Sequence, residues 1–162
     1  MRKVAMEDSL RLEAGNPAPL FSLPNEDNVV VALQDFFDYN VILYFYPKDN
    51  TSACTTQAQE FSELIGSFEK HNAVVIGISP DKTVTHKKFI QNKNLKIILL
   101  SDIDKVVAMK YGAYGKKVMY GKEIFGIRRS TFIIKNGEIF KSFYNVRASG
   151  HAKKILEFLD EL

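Results

Sequence analysis

The chain has 162 residues, 46% hydrophobic and 25% charged, with 22 Lys and Arg against 19 Asp and Glu for a net charge of +3. That size suits one domain (residues 1–162) around one core, and the small, dispersed charge argues against nucleic-acid binding. A single cysteine excludes an internal disulfide, and no run approaches membrane-spanning length.

Residues 1–11 read as a polar extension with no continuous apolar segment, so no signal peptide is expected and a cytoplasmic location follows. Residues 15–19, GNPAP, form an extended, turn-rich entry, and residues 29–33 suit a short strand. VILYFY at 41–46 is six apolar or aromatic residues in succession, closed by Pro47, which reads as a strand buried on both faces. From Thr51 the period changes. Ala58, Phe61, Ile65 and Phe68, widened by Leu64, fall at helical spacing and predict a helix over 51–70. A strand is expected at 74–78, and a weaker helix at 83–94 whose apolar side is only Val84, Phe89 and Ile90. A third strand follows at 97–100, then a short helix at 104–111 that Gly112 ends. Strands at 131–134 and 139–143 flank Asn136-Gly137, a hairpin signal. Ile155, Phe158, Leu159 and Leu162 mark a last helix, with Ser149 as its N-cap. This order implies an α/β fold of three layers, a central mixed sheet with helices on both faces, and leaves strand order open.

The only cysteine, Cys54, falls in the first turn of the helix that follows the most buried strand. Amides there lack intrahelical partners and the helix dipole is positive, so the position favours a thiolate over a thiol. Thr51 or Ser52 is the expected cap. Ionisation alone is not enough for a fast thiol enzyme, because completing it at neutral pH gains only ~30-fold. Charge developing on a leaving group must also be stabilised, which calls for a cation and hydrogen-bond donors beyond the sulfur.

PKDNTSAC, residues 47–54, has the form P-x-x-x-T-x-x-C and resembles the peroxidatic loop of peroxiredoxins. Further pieces in the same order are GNPAPLFSLPNEDNVVVAL, ILYFYPKDNTSACTTQA, SPDKTVTHKKF, LLSDIDKVVAMKYGAYG and GIRRSTFIIKNGEI. From Leu12 onward the chain resembles the bacterioferritin comigratory protein (peroxiredoxin Q) subfamily. The resemblance implies a thioredoxin-like fold and reduction of hydrogen peroxide and organic hydroperoxides, with no cofactor and no metal. It assigns Cys54 as the peroxidatic nucleophile that passes through sulfenic acid, and Thr51 as a hydrogen-bond partner of peroxide and sulfur. Pro47 shields the pocket, Arg129 supports thiolate and peroxide, and the backbone of Ala53 and Cys54 helps bind substrate. Arg128 is the rival arginine; alternation along the following strand would send the two side chains to opposite faces.

The chain departs from the pattern twice. Ser52-Ala53 stands where the family often has Pro-Gly, and Gln59 stands where many members carry a resolving cysteine. The helix at 83–94 offers no cysteine either. An external thiol, thioredoxin or glutathione with glutaredoxin, must then resolve the sulfenic acid, in a protein expected to be a monomer or weak dimer with no nucleic-acid or membrane partner. The alternatives are a monothiol transferase and a non-enzymatic redox sensor. His71, His86 and His151 lack metal-ligand spacing, and His86 is assigned to packing or the surface. Gly115 and Gly121 are spaced wrongly for a phosphate loop.

Overall fold

The apolar run at 41–46 becomes the middle strand of a five-stranded sheet, and its residues feed two cores alternately. Val41, Leu43 and Phe45 enter one core; Ile42, Tyr44 and Tyr46 enter the other. A strand covered on both faces has no wet side to alternate with, hence the unbroken apolar sequence. The computed structural model describes residues 11–162, so the extension read at 1–11 lies outside the described residues but for Arg11.

In chain order, β1 (Ser22–Pro24) and β2 (Val30–Ala32) pair antiparallel as a small separate hairpin, followed by a 3-10 turn, Leu33–Phe36. Then come β3 (Asn40–Phe45), α1 (Ser52–Glu63), α2 (Ile65–Lys70), β4 (Ala73–Ser79), α3 (Thr83–Lys93), β5 (Ile98–Ser101) and α4 (Val106–Lys110). The chain ends with β6 (Tyr114–Met119), β7 (Lys122–Ile127), β8 (Ser130–Lys135), β9 (Glu138–Phe143) and α5 (His151–Leu159). The main sheet has the order β5-β4-β3-β8-β9. β3, β4 and β5 are parallel, and β8 runs antiparallel to β3 and β9. Phe61, Phe68, Phe89 and Ile155 bring α1, α2, α3 and α5 onto one face; Val107 and Ala108 bring α4 onto the other, with Phe21 and Leu33. The fold is the three-layer, thioredoxin-like α/β arrangement expected.

Several local expectations change. The helix expected over 51–70 is two helices, because Leu64 leaves helical geometry (φ −97°, ψ 8°). One residue in that region bends the chain while the apolar stripe continues through Phe68, so periodicity does not reveal the break. Residues 114–127 form the β6–β7 hairpin, unforeseen in the sequence, around Tyr120 and Gly121 at φ 54° and 78°. Its strands are largely solvated, with Val118 72% and Phe125 51% exposed, so they lack the one-sided alternation that marks a half-buried strand. Gly150, at φ 79°, is the N-cap of α5 in place of Ser149, and its N–H donates to Glu60 Oε1 at 2.8 Å. The Asn136-Gly137 turn is as expected, with both residues at positive φ (54° and 80°). No helix among the described residues is long and apolar enough to cross a membrane.

Candidate active site

β3, β4 and β5 all end at one edge of the sheet, the usual place for a site in parallel α/β architecture. From β3 the chain passes half-buried Pro47 and buried Asp49 to Thr51, the N-cap of α1 in extended geometry (φ −75°, ψ 157°). Cys54 is the third residue of α1. Thr55 N–H to Thr51 O, 2.9 Å, is the first intrahelical bond, which leaves the amides of Ser52, Ala53 and Cys54 without helical acceptors. The Thr51 hydroxyl does not cap the helix, contrary to the sequence expectation, and donates instead to Lys48 O at 3.0 Å. A helix start left uncapped by its own side chain keeps its donors for another oxygen or sulfur. The Cys54 side chain is on the core side of α1 beside Ala58 and Phe61, and only 1% of the residue is exposed.

Arg129 enters from the segment just before β8. Its Nη2 donates to Cys54 Sγ at 3.4 Å, and its Nη1 donates to Gln57 Oε1 at 2.7 Å. Gln57 thus aims the planar guanidinium at the sulfur. The signal for Gln57 was available: it is a polar residue on the buried stripe Cys54, Gln57, Ala58, Phe61, with i, i+3, i+4, i+7 spacing. Arg128 points elsewhere. It is 4% exposed, and its Nε and Nη1 donate to Lys116 O (3.3 Å) and Gly112 O (3.4 Å). A Cβ at residue 115 would lie 2.5 Å from Arg128 Nη2, so Gly115 is what makes room for this guanidinium.

The arrangement, a thiol at a helix start under a fixed guanidinium, suits attack on an O–O bond. A model of the AhpC/TSA family matches residues 14–142. The chain belongs to the AhpC/TSA family. Helicobacter pylori (strain J99) putative peroxiredoxin bcp is 55% identical over 150 residues, covering 92% of this chain and 99% of that one. Bacillus subtilis peroxiredoxin Bcp is 37% identical over 154 residues, 94% and 98% of the two chains. The solved bacterioferritin comigratory protein of Xanthomonas campestris superposes with a TM-score of 0.85 at 29% identity, covering 92% of this chain and 98% of that one. The protein is therefore a peroxiredoxin of the bacterioferritin comigratory protein (peroxiredoxin Q) subfamily in a one-cysteine form, a thiol-dependent peroxidase. Its chemistry consumes a peroxide and a thiol reductant.

Two further side chains belong to the neighbourhood of Cys54. Burial, and then charge on Cys54, push the Tyr44 phenol far above its ordinary ionisation range, so it remains a neutral hydroxyl. Gly77 leaves space for that ring, since a Cβ there would lie 2.8 Å from Tyr44 Cζ. Lys117, on β6, donates to Ile127 O at 2.8 Å. Its ammonium is lowered by burial and then by Arg129, while Cys54 acts in the opposite direction, so it adds positive potential near the sulfur. Neither residue stood out in sequence, because the role of each depends on a neighbour distant in the chain.

Of the two duties expected for His86, packing or the surface, the structure shows packing. His86 is fully buried on the first turns of α3, and its Nδ1 lies 2.7 Å from Asp49 Oδ2 in the loop between β3 and α1. Asp49, Asp81 and His86 gather ligand-type atoms within 4.8 Å of one another, a cluster hidden in sequence because Asp49 lies far from the other two. These atoms are engaged with one another and with nearby donors: Asp81 Oδ2 accepts from Asp49 N–H (2.8 Å) and Ser79 Oγ–H (2.7 Å). The cluster is a hydrogen-bonded one. His151 Nε2 contacts Thr131 Oγ1 at 2.9 Å, and burial, with Lys154 and Arg129 adding to it, lowers that imidazole to about 4. His71 joins Ser67 O and Asp160 at the far end of the molecule.

Proposed function

We propose that Cys54 is the peroxidatic cysteine and that Arg129, Thr51, Pro47 and the amides of Ala53 and Cys54 form its substrate pocket. The observation that carries this reading is the 3.4 Å contact of Arg129 Nη2 with Cys54 Sγ. The thiolate attacks the nearer peroxide oxygen. An S–O bond forms as the O–O bond breaks, sulfur is oxidised to sulfenic acid, and the departing oxygen takes a proton and leaves as water or an alcohol. Arg129 and the free amides stabilise charge as it spreads over both oxygens. The Thr51 hydroxyl, held by Lys48 O, keeps its oxygen free to accept from the peroxide O–H. Pro47 limits water at the pocket mouth.

Regeneration uses an external thiol. Its sulfur condenses with the sulfenic acid, releasing water and leaving a mixed disulfide at Cys54. A second thiol then reduces that disulfide. Thioredoxin or glutathione with glutaredoxin fits this role, and the cytoplasm is a compartment that keeps such thiols reduced. We read the chain as one domain acting as a monomer or weak dimer. Stopped-flow oxidation of the reduced protein tests the assignment. Wild type should take up one equivalent of peroxide and turn over when a thiol is supplied. Cys54→Ser should do neither, and turnover by that variant would reject the reading.

A further inference from the structure

The peroxidatic loop is tied to its surroundings at Asp49, whose buried carboxylate and amide are both engaged. Asp49 Oδ1 accepts from Tyr46 Oη at 2.6 Å, and Asp49 Oδ2 faces His86 Nδ1 at 2.7 Å. His86 Nε2 faces Leu100 O at 3.0 Å. A carbonyl oxygen can only accept, so Nε2 carries a hydrogen, and the short contact to Asp49 holds another between Nδ1 and Oδ2. Both side chains are 0% exposed, which makes this the one contact of a basic side chain with a carboxylate, among those found in the described residues, that has both partners out of water. The Asp49 amide is fixed separately by Asp81 Oδ2.

The placement is what gives this pair a function. Asp49 stands two residues after Pro47 and two before Thr51, so its carboxylate sits at the middle of the loop that sets the start of α1. Exposed polar residues flank it, Lys48 and Asn50, the latter at φ 64°. Neither packs the loop into the core. Its inward attachment runs through Asp49, on one side to the end of β3 through Tyr46 and on the other to α3 and β5 through His86. Cys54 meets Arg129, which comes from the start of the neighbouring strand β8, only if α1 starts in the observed place.

We infer that His86 and Asp49 are positioning residues for the peroxide step, a buried clamp that holds the loop so that Cys54 lies under Arg129. The clamp also governs the second half of the cycle. Cys54 is 1% exposed, so an external thiol reaches it only when the loop loosens. A tighter clamp favours attack on peroxide and a looser one favours access to the sulfur. The two rates must move in opposite directions when the clamp is weakened.

This inference rests on the assignment of Cys54 above, and the test separates the two. Asp49→Ala and His86→Leu are compared with wild type for the second-order rate constant of Cys54 oxidation by peroxide and for alkylation of reduced Cys54 by N-ethylmaleimide, with circular dichroism as the check on folding. Oxidation should slow by about 10- to 100-fold while alkylation accelerates by about 10-fold. Asp49→Asn should recover most of the loss, since its amide can accept from Tyr46 and donate to Nδ1. A purely structural pair would lower the melting temperature and leave both rate constants within about twofold of wild type, which would overturn the inference. So would a fall in both rates together. Removing one partner of a buried pair leaves the other uncompensated; where either variant fails to fold, Tyr46→Phe decides. It removes a single hydroxyl, and it should shift both rates in the same opposed sense by a few-fold; unchanged rates would overturn the clamp. If wild type itself consumes no peroxide, the peroxidase assignment fails, and the alkylation arm still reports on the clamp.

Discussion

Arg129 follows Cys54 by 75 residues, yet its guanidinium reaches the sulfur at 3.4 Å while its other terminal nitrogen is held by Gln57. The contact joins the antiparallel half of the sheet, through the segment entering β8, to the first turn of α1 on the parallel half. A fork with one prong fixed and one on sulfur gives a direction to the charge that a flexible ammonium cannot.

Replacing Arg129 by Ala should therefore slow peroxide oxidation well beyond ~30-fold, the most that restored ionisation at neutral pH could explain. Arg129→Lys should recover little of the loss, because a point charge cannot bond Gln57 and sulfur together. Second-order rate constants from stopped flow measure this. Equal rates for Arg129→Lys and wild type would show that only charge matters.

Arg128→Ala should do the reverse. Its buried guanidinium serves Lys116 O and Gly112 O, so the variant removes a donor from the buried Gly112 carbonyl and should lose about 1–3 kcal/mol of stability. Its peroxide rate constant should stay close to wild type. Denaturant midpoints and kinetics on the folded fraction separate the two effects.

Gln57→Leu tests the aim of Arg129 without touching its charge. The volume is nearly kept and the 2.7 Å bond is lost, so the rate should fall by about 10-fold while Cys54 still reacts. Gln57→Glu should lie nearer wild type, as a carboxylate accepts from Nη1.

With one cysteine, peroxide in the absence of reductant should leave Cys54 as sulfenic acid. Intact mass should rise by one oxygen, a sulfenic-acid reagent should trap it, and excess peroxide should drive it to sulfinic and sulfonic acid. A small thiol should give a mixed disulfide instead. Complete conversion to a disulfide-linked dimer at low protein concentration, with nothing trapped, would refute the external-thiol route.

Stability should fall on mild acidification because of His151. Its imidazole is lowered from 6.5 to about 4 in the fold, so as pH drops through 6.5 the unfolded chain binds a proton that the folded chain refuses. Between pH 7 and about 4.5 the loss should be about 2 kcal/mol. His71, raised by its bonds to Ser67 O and Asp160, acts in the opposite sense: its contribution is present at low pH and disappears as pH rises. Its side chain is partly solvated and its partner Asp160 is exposed, so it should matter less. Denaturant midpoints for wild type and His151→Gln at the two pH values test this; the variant should show the flatter profile.

The chemistry of this chain was legible wherever it depended on neighbours in sequence. The six-residue apolar run, the Asn136-Gly137 turn and the placement of Cys54 at a helix start follow from local periodicity, backbone preference and unpaired amides, all of which a linear string displays. Proximity across the fold is not written there. Nothing local tells that β8 lies beside β3, that Gln57 holds Arg129 while Gly112 receives Arg128, or that His86 meets Asp49. Those pairings exist because burying both faces of β3 forces distant strands and helices together, and each buried polar group then takes the partner that packing brings within reach. The sequence alone determined the nucleophile and its helix. Tertiary packing decided what points at it and what holds it in place.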